Sequence, residues 1–249
     1  MITLIDTFTG GRIAIGQIVF VVNLKGGGKY KSRCPLLVSG GIEFIMYSEV
    51  GIKSTLRRFV LHNGTFLRFA LGHRSQYDTQ IYANGQNLTE KFAPEKTVSA
   101  SDVKTAFEAV IGDHPEMFWL ETGYSSKYLA NGQCVEIDLK YNSTADDLES
   151  AKHRFDAAAQ NLITGAASLD SNYEKEKYVH DALASAVTYD LTADMNQSAY
   201  SALVNGKSVC AGYARAYQYL LQQLGIPCYY CTGYSGGDHA WNIVKLEDG

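Results

Sequence analysis

The 249-residue sequence is poor in proline, with 4, and in tryptophan, with 2. Scarce proline and scattered polar residues exclude a long disordered tail. No run reaches the roughly 18 apolar residues of a spanning helix. The longest apolar stretch near the start, Ile18-Val19-Phe20-Val21-Val22, has the length of a strand. No positively charged segment opens the chain, so no signal peptide is read there. Neither sign of charge dominates: Lys+Arg 22 against Asp+Glu 26 leaves −4. Without a basic tract there is no footprint for nucleic acid or for an anionic membrane. The cysteines number 5, an odd count, and form no dense framework, which excludes a disulfide scaffold.

Against these absences, 46% of the residues are hydrophobic and 19% charged. A chain of this size can bury a core without a metal or a disulfide staple. Residues 1 to about 92 read as strands, short apolar runs broken by Gly10-Gly11, Gly40-Gly41, Asn63-Gly64 and Asn84-Gly85. Phe59-Val60-Leu61 against Phe66-Leu67-Arg68-Phe69 is a hairpin pattern. Gly26-Gly27-Gly28-Lys29 invites comparison with a phosphate-binding loop. Asn23 stands where that motif needs glycine and Tyr30 where it needs Ser or Thr, so a hairpin turn is the better reading.

From Ser99 the periodicity turns helical. Ser or Asp caps a helix with Val103, Phe107 and Val110 as its stripe, ended by Gly112. Cys134 to Tyr141 alternates as a strand. Helices follow from about Ala145 to Ile163 and from about Tyr173 to Tyr189.

The chemistry concentrates after Tyr200. Cys210 opens a helical pattern that carries Ala214, Tyr217, Leu221 and Leu224 on one face and stops at Gly225. A helix N-terminus has free N–H groups and partial positive charge, which favour thiolate over thiol. The same N–H groups can receive an oxyanion. The next histidine, His239, opens an alternating strand with Trp241 and Ile243 on its own face. A helix-start Cys facing a strand-start His is the geometry of thiol acyl transfer. Cys228-Tyr229-Tyr230-Cys231 has C-x₂-C spacing, but no second ligand pair follows, so core packing is favoured over metal or redox chemistry. His180 reads as a structural hydrogen-bonding residue.

Val209-Cys210-Ala211-Gly212-Tyr213-Ala214, Leu224-Gly225-Ile226-Pro227, Thr232-Gly233-Tyr234 and His239-Ala240-Trp241-Asn242, in that order, resemble the bacterial transglutaminase-like superfamily. Tyr178-Val179-His180-Asp181 with Tyr189-Asp190 resembles the stretch before the Cys loop there. Asp113-His114-Pro115-Glu116 with Phe118-Trp119 is similar to a segment ahead of that core. The resemblance covers about residues 100 to 249. It implies an α+β, papain-like core with a Cys-bearing helix packed on an antiparallel sheet. Residues 1–95 would then be a β-rich region and 96–249 the transglutaminase-like core. It further implies Cys210 as nucleophile and His239 as base, acting on a peptide or protein without cofactor or metal. Trp241, Tyr213 and Tyr234 are the candidates for the substrate cleft. Exported relatives suggest the cell surface or secretion.

The family's third residue, usually Asp, follows the His by more than ten residues, and this chain stops at Gly249. The expectation is therefore a core truncated at its C-terminus, with an open strand edge that another chain could fill. Asn242 should point away from His239 in a regular strand, which ranks it last as an orienting residue. Hydrolysis is favoured over transamidation. The alternative is an inactive binding or assembly module for peptide or cell-wall ligands.

Overall fold

The computed structural model describes residues 22–23, 29–30, 56–60, 66–70, 76–234 and 238–246, with side chains at 79–233 and 238–246. Cys34, the Gly26–Gly28 turn, the side chain of Tyr234 and the Asp248-Gly249 turn lie outside them.

The first described elements are strands. β1 (Val22–Asn23) pairs antiparallel with β2 (Lys29–Tyr30). β3 (Leu56–Val60) and β4 (Phe66–Ala70) form the expected hairpin, with Val60 opposite Phe66.

The all-strand reading then fails, because Gln76–Gln86 is a helix, α1. Gly85 misled it: Asn84-Gly85 looks like a turn, yet this glycine sits in the last helical turn. Trp119 Nε1 donates to Gly85 O at 3.0 Å, and a Cβ there would collide with Met117 Cε. The glycine serves close approach of the Met117 side chain to the helix, not a reversal of the chain. α1 lies against α2 (Ala100–Asp113). Ser99 caps α2 in a reciprocal box with Asp102, satisfying two otherwise orphaned backbone N–H groups.

β5 (Lys91–Phe92), β6 (Leu120–Tyr128) and β7 (Cys134–Tyr141) make an antiparallel sheet in the order β5-β7-β6. A 3₁₀ turn leads into α3 (Leu148–Ile163), which buries Ala151, Phe155, Ala159 and Ile163 at helical spacing. α4 (Asn172–Ala186) begins with a second capping box, Ser171 with Glu174. β8 (Thr188–Tyr189) pairs parallel with β9 (Lys207–Ser208), flanking the short helix α5 (Ala199–Leu203).

α6 (Cys210–Gln223) is the central helix, with every residue from Ala211 to Leu221 buried. Its end is a Schellman motif: Ile226 N–H reaches Leu221 O at 2.9 Å and Gly225 N–H reaches Gln222 O at 3.0 Å. Gly225 has φ +72°, the left-handed conformation that the motif demands. β10 (Cys228–Tyr234) and β11 (Asp238–Val244) then complete a four-stranded antiparallel sheet in the order β11-β10-β4-β3. Strands from both sides of residue 95 thus share this sheet, and β5 joins β7 in the other.

The architecture is mixed α and β with antiparallel main sheets, and α6 packs on β10 and β11. Phe118, Phe155, Tyr200 and Tyr219 form an aromatic cluster around α3, with ring centroids 4.5–4.9 Å apart for three of the pairs. Such pairs add about 0.5–1.5 kcal/mol each beyond area burial. That cluster makes α6 a fixed platform for its first residue.

Candidate active site

Cys210 is the first residue of α6, and its N-cap, Val209, offers no side-chain cap. A Ser or Asp cap would have consumed the free N–H groups of the first turn; here they remain for the thiol. Gly212 lets this turn press against the preceding loop. A Cβ there would sit 2.6 Å from Asn196 O and 2.7 Å from Ser198 O, and would clash with Ser208 Oγ. Ser208 Oγ in turn donates to Asn196 O at 2.6 Å, and Val209 N–H donates to the same carbonyl at 3.1 Å. Cys210 is thereby fixed against the loop as well as the sheet.

Opposite it, His239 is the second residue of β11, in register with Gly233 of β10. Burial pushes the Cys210 thiol up. A hydrogen bond from His239, the charge of that ring, and the backbone N–H groups of Ala240 and Ala211 outweigh this, so the thiol lies below its ordinary value. The thiolate is favoured by donors from the helix start and the His strand together. Cys210 is only partly buried and opens on a cleft of about 600 Å³ that Tyr189, Gln197, Tyr230, Asp238 and His239 help to line.

Asn242 sets the register of strand and helix. It is fully buried, and its Nδ2 donates to Ala214 O at 2.8 Å. The side chain faces α6, as expected for the strand face opposite His239. Trp241 is buried with its ring edge-on to His239, centroids 4.8 Å apart, so it braces the imidazole from the side. Tyr213 is buried, its hydroxyl donating to Val187 O. Neither Trp241 nor Tyr213 lines the cleft.

Residues 157–249 match the transglutaminase-like superfamily core. The matched segment thus starts in the middle of α3 and contains both Cys210 and His239. A solved structure of a TGase is similar over 64% of this chain at 16% identity, with a TM-score of 0.36. The aligned part covers 48% of that protein, about half its length. No curated protein matches the chain.

Sequence reasoning missed Tyr189 as part of this site. Its side chain lines the cleft beside Cys210; burial, then the Cys210 charge, push its ionisation up. The parallel β8–β9 bridge, Tyr189 opposite Ser208, puts it there. Tyr189-Asp190 is visible in the sequence, but nothing local says that its partner is twenty-one residues away.

Cys228 and Cys231 are both free and buried, their thiols pushed up by burial. The regular strand buries both, although residues three apart alternate faces, because α6 and other core groups cover β10 on each side. His180 Nδ1 meets Asp181 at 3.0 Å, and its ring is edge-on to Tyr217. His114 and Glu116 form a 2.8 Å pair in the turn before Phe118. Among the described residues no group of three or more His, Cys, Asp or Glu could hold a metal ion, and no helix is long and apolar enough to cross a membrane.

Proposed function

We propose that this chain carries out thiol-dependent amide chemistry on a peptide or protein. Cys210 attacks the carbonyl carbon, forming the C–S bond, while its proton passes to His239. His239 returns that proton to the leaving amine as the C–N bond breaks, which yields a thioester. Water then attacks the thioester with His239 as base, releasing the acid and the free thiol. The Cys210 backbone N–H receives the tetrahedral oxyanion, and the Tyr189 hydroxyl, lining the same cleft, is the second donor.

The observation that carries this reading is the thiol held below its ordinary value by His239 and two backbone N–H groups. Cys210 is partly exposed, so the thioester is open to an acceptor, and water is the acceptor proposed here.

The test is the rate of iodoacetamide labelling against pH, with all five cysteines mapped and His239→Ala as control. Cys210 should label rapidly below pH 7, and the control should slow it. Labelling of Cys210 like an ordinary thiol of pKa about 8.5 would refute the activated pair. Fast labelling without acylation by any peptide ester would instead leave a module that binds but does not turn over.

A further inference from the structure

A second cavity of about 620 Å³ adjoins the thiol cleft, and Gln197, Tyr230 and Thr232 line both. A ligand seated at Cys210 can therefore continue into it. Its apolar wall comes from Phe107 and Ile111 of α2 and Tyr124 of β6.

The charges around this cavity are mostly answered. Lys104 and Glu108 pair with each other at 3.8 Å, and Asp113 has a partner of its own. Arg215 differs. It is 7% exposed, and its guanidinium stacks on the Tyr230 ring with Cζ 4.5 Å from the centroid. Nη1 donates to Gln197 O at 2.6 Å and Nε to Ile111 O at 3.5 Å. These partners are carbonyls and a ring; no carboxylate among the described residues forms an ion pair with it.

A guanidinium has five N–H donors in a rigid fork, and only two are spent on these carbonyls. The ring and the two carbonyls hold its plane, so little entropy is lost when it meets a planar acceptor. A desolvated cation with no counter-ion among the described residues is costly to maintain, and a carboxylate is the ligand that offsets this best.

We propose that the Arg215 cavity is a subsite for a carboxylate of the bound peptide, carried on an acidic side chain or a free C-terminus. Its place in catalysis rests on Cys210 being the nucleophile; its binding preference does not.

The test uses the full chain with Cys210→Ala, so that nothing turns over, and calorimetry with three probes. These are acetyl-Ala-Phe-Glu-Ala-amide, its Gln counterpart, and the Gln peptide with a free C-terminal carboxylate. At least one acidic probe should bind about tenfold more tightly than the neutral one, and which one does names the source of the carboxylate. Adding Arg215→Met should abolish the preference, and Arg215→Lys should keep part of it, since a point charge survives without the fork. If the Met variant does not fold, the Lys variant decides: a preference reduced about threefold or more is expected. Equal binding of all three probes, no binding of any, or a preference unchanged by substitution at Arg215 overturns the proposal. Failure of Cys210 to acylate with the preference intact would remove the acyl-transfer reading and leave the subsite. Turnover without charge preference would do the reverse.

Discussion

Gly212→Ala should damage both stability and the thiol, because no neighbour of that position can yield cheaply. Two of the three atoms that the new methyl meets are backbone carbonyls, Asn196 O at 2.6 Å and Ser198 O at 2.7 Å. Restoring ordinary contact requires the first turn of α6 and the 196–198 loop to part by about 0.7–0.8 Å, in a region packed at interior density. Overpacking of this kind costs about 1–3 kcal/mol, and the upper half applies because backbone must move. For a chain of this size, that is a fall in melting temperature of about 4–12 °C. The same displacement carries Cys210 away from His239 and from Ala240 N–H. Misplacement approaching 1 Å costs up to about 10²-fold in rate, so alkylation of Cys210 at pH 6.5 should slow by about tenfold or more. Gly123→Ala is the control, since a Cβ there meets nothing within 4 Å. Differential scanning calorimetry and timed labelling read both effects. An unchanged melting temperature together with unchanged labelling would refute the claim that close packing of this turn positions the thiol.

Three further outcomes are expected. Tyr189→Phe should leave early labelling of Cys210 within about threefold but lower turnover of a peptide ester by about 10²-fold, the size of one oxyanion donor; equal loss in both assays would make Tyr189 a positioning residue only. Tyr217→Phe removes the hydroxyl that donates to the buried Glu176 carboxylate, at a cost of about 1.5–3 kcal/mol by urea denaturation; a loss under 0.5 kcal/mol would show that the carboxylate finds another donor. The Glu174 carboxyl is held low, first by the Ser171 N–H and then by its hydroxyl. A depressed carboxyl stabilises the fold above its unfolded pKa, and that contribution disappears as pH falls through the lower folded value. Ser171→Ala should therefore weaken stability at pH 7 more than at pH 3, measured by parallel denaturant titrations; an equal effect at both would refute the box as an ionic contact.

The local rules of the chain determined much by themselves. Ser99 with Asp102 begins α2, the alternation from Cys134 to Tyr141 makes β7 residue for residue, and Gly225 stops α6. These are short-range effects of capping, periodicity and left-handed backbone, so they are legible in order along the chain. They also put Cys210 at a helix start and His239 at a strand start. Three things were decided only by the tertiary structure. Gly85 reads as a turn residue locally, yet from a distant segment Trp119 claims its carbonyl and Met117 its empty side. β4, from the N-terminal region, pairs with β10, because a strand's partner is chosen by which faces need burial and not by nearness in sequence. Tyr189 reaches the cleft through a parallel bridge, and Arg215 is held at the adjoining cavity by carbonyls of α2 and of the loop before α5. No periodicity encodes such meetings, since they arise only when helix, loop and sheet compete for one buried volume.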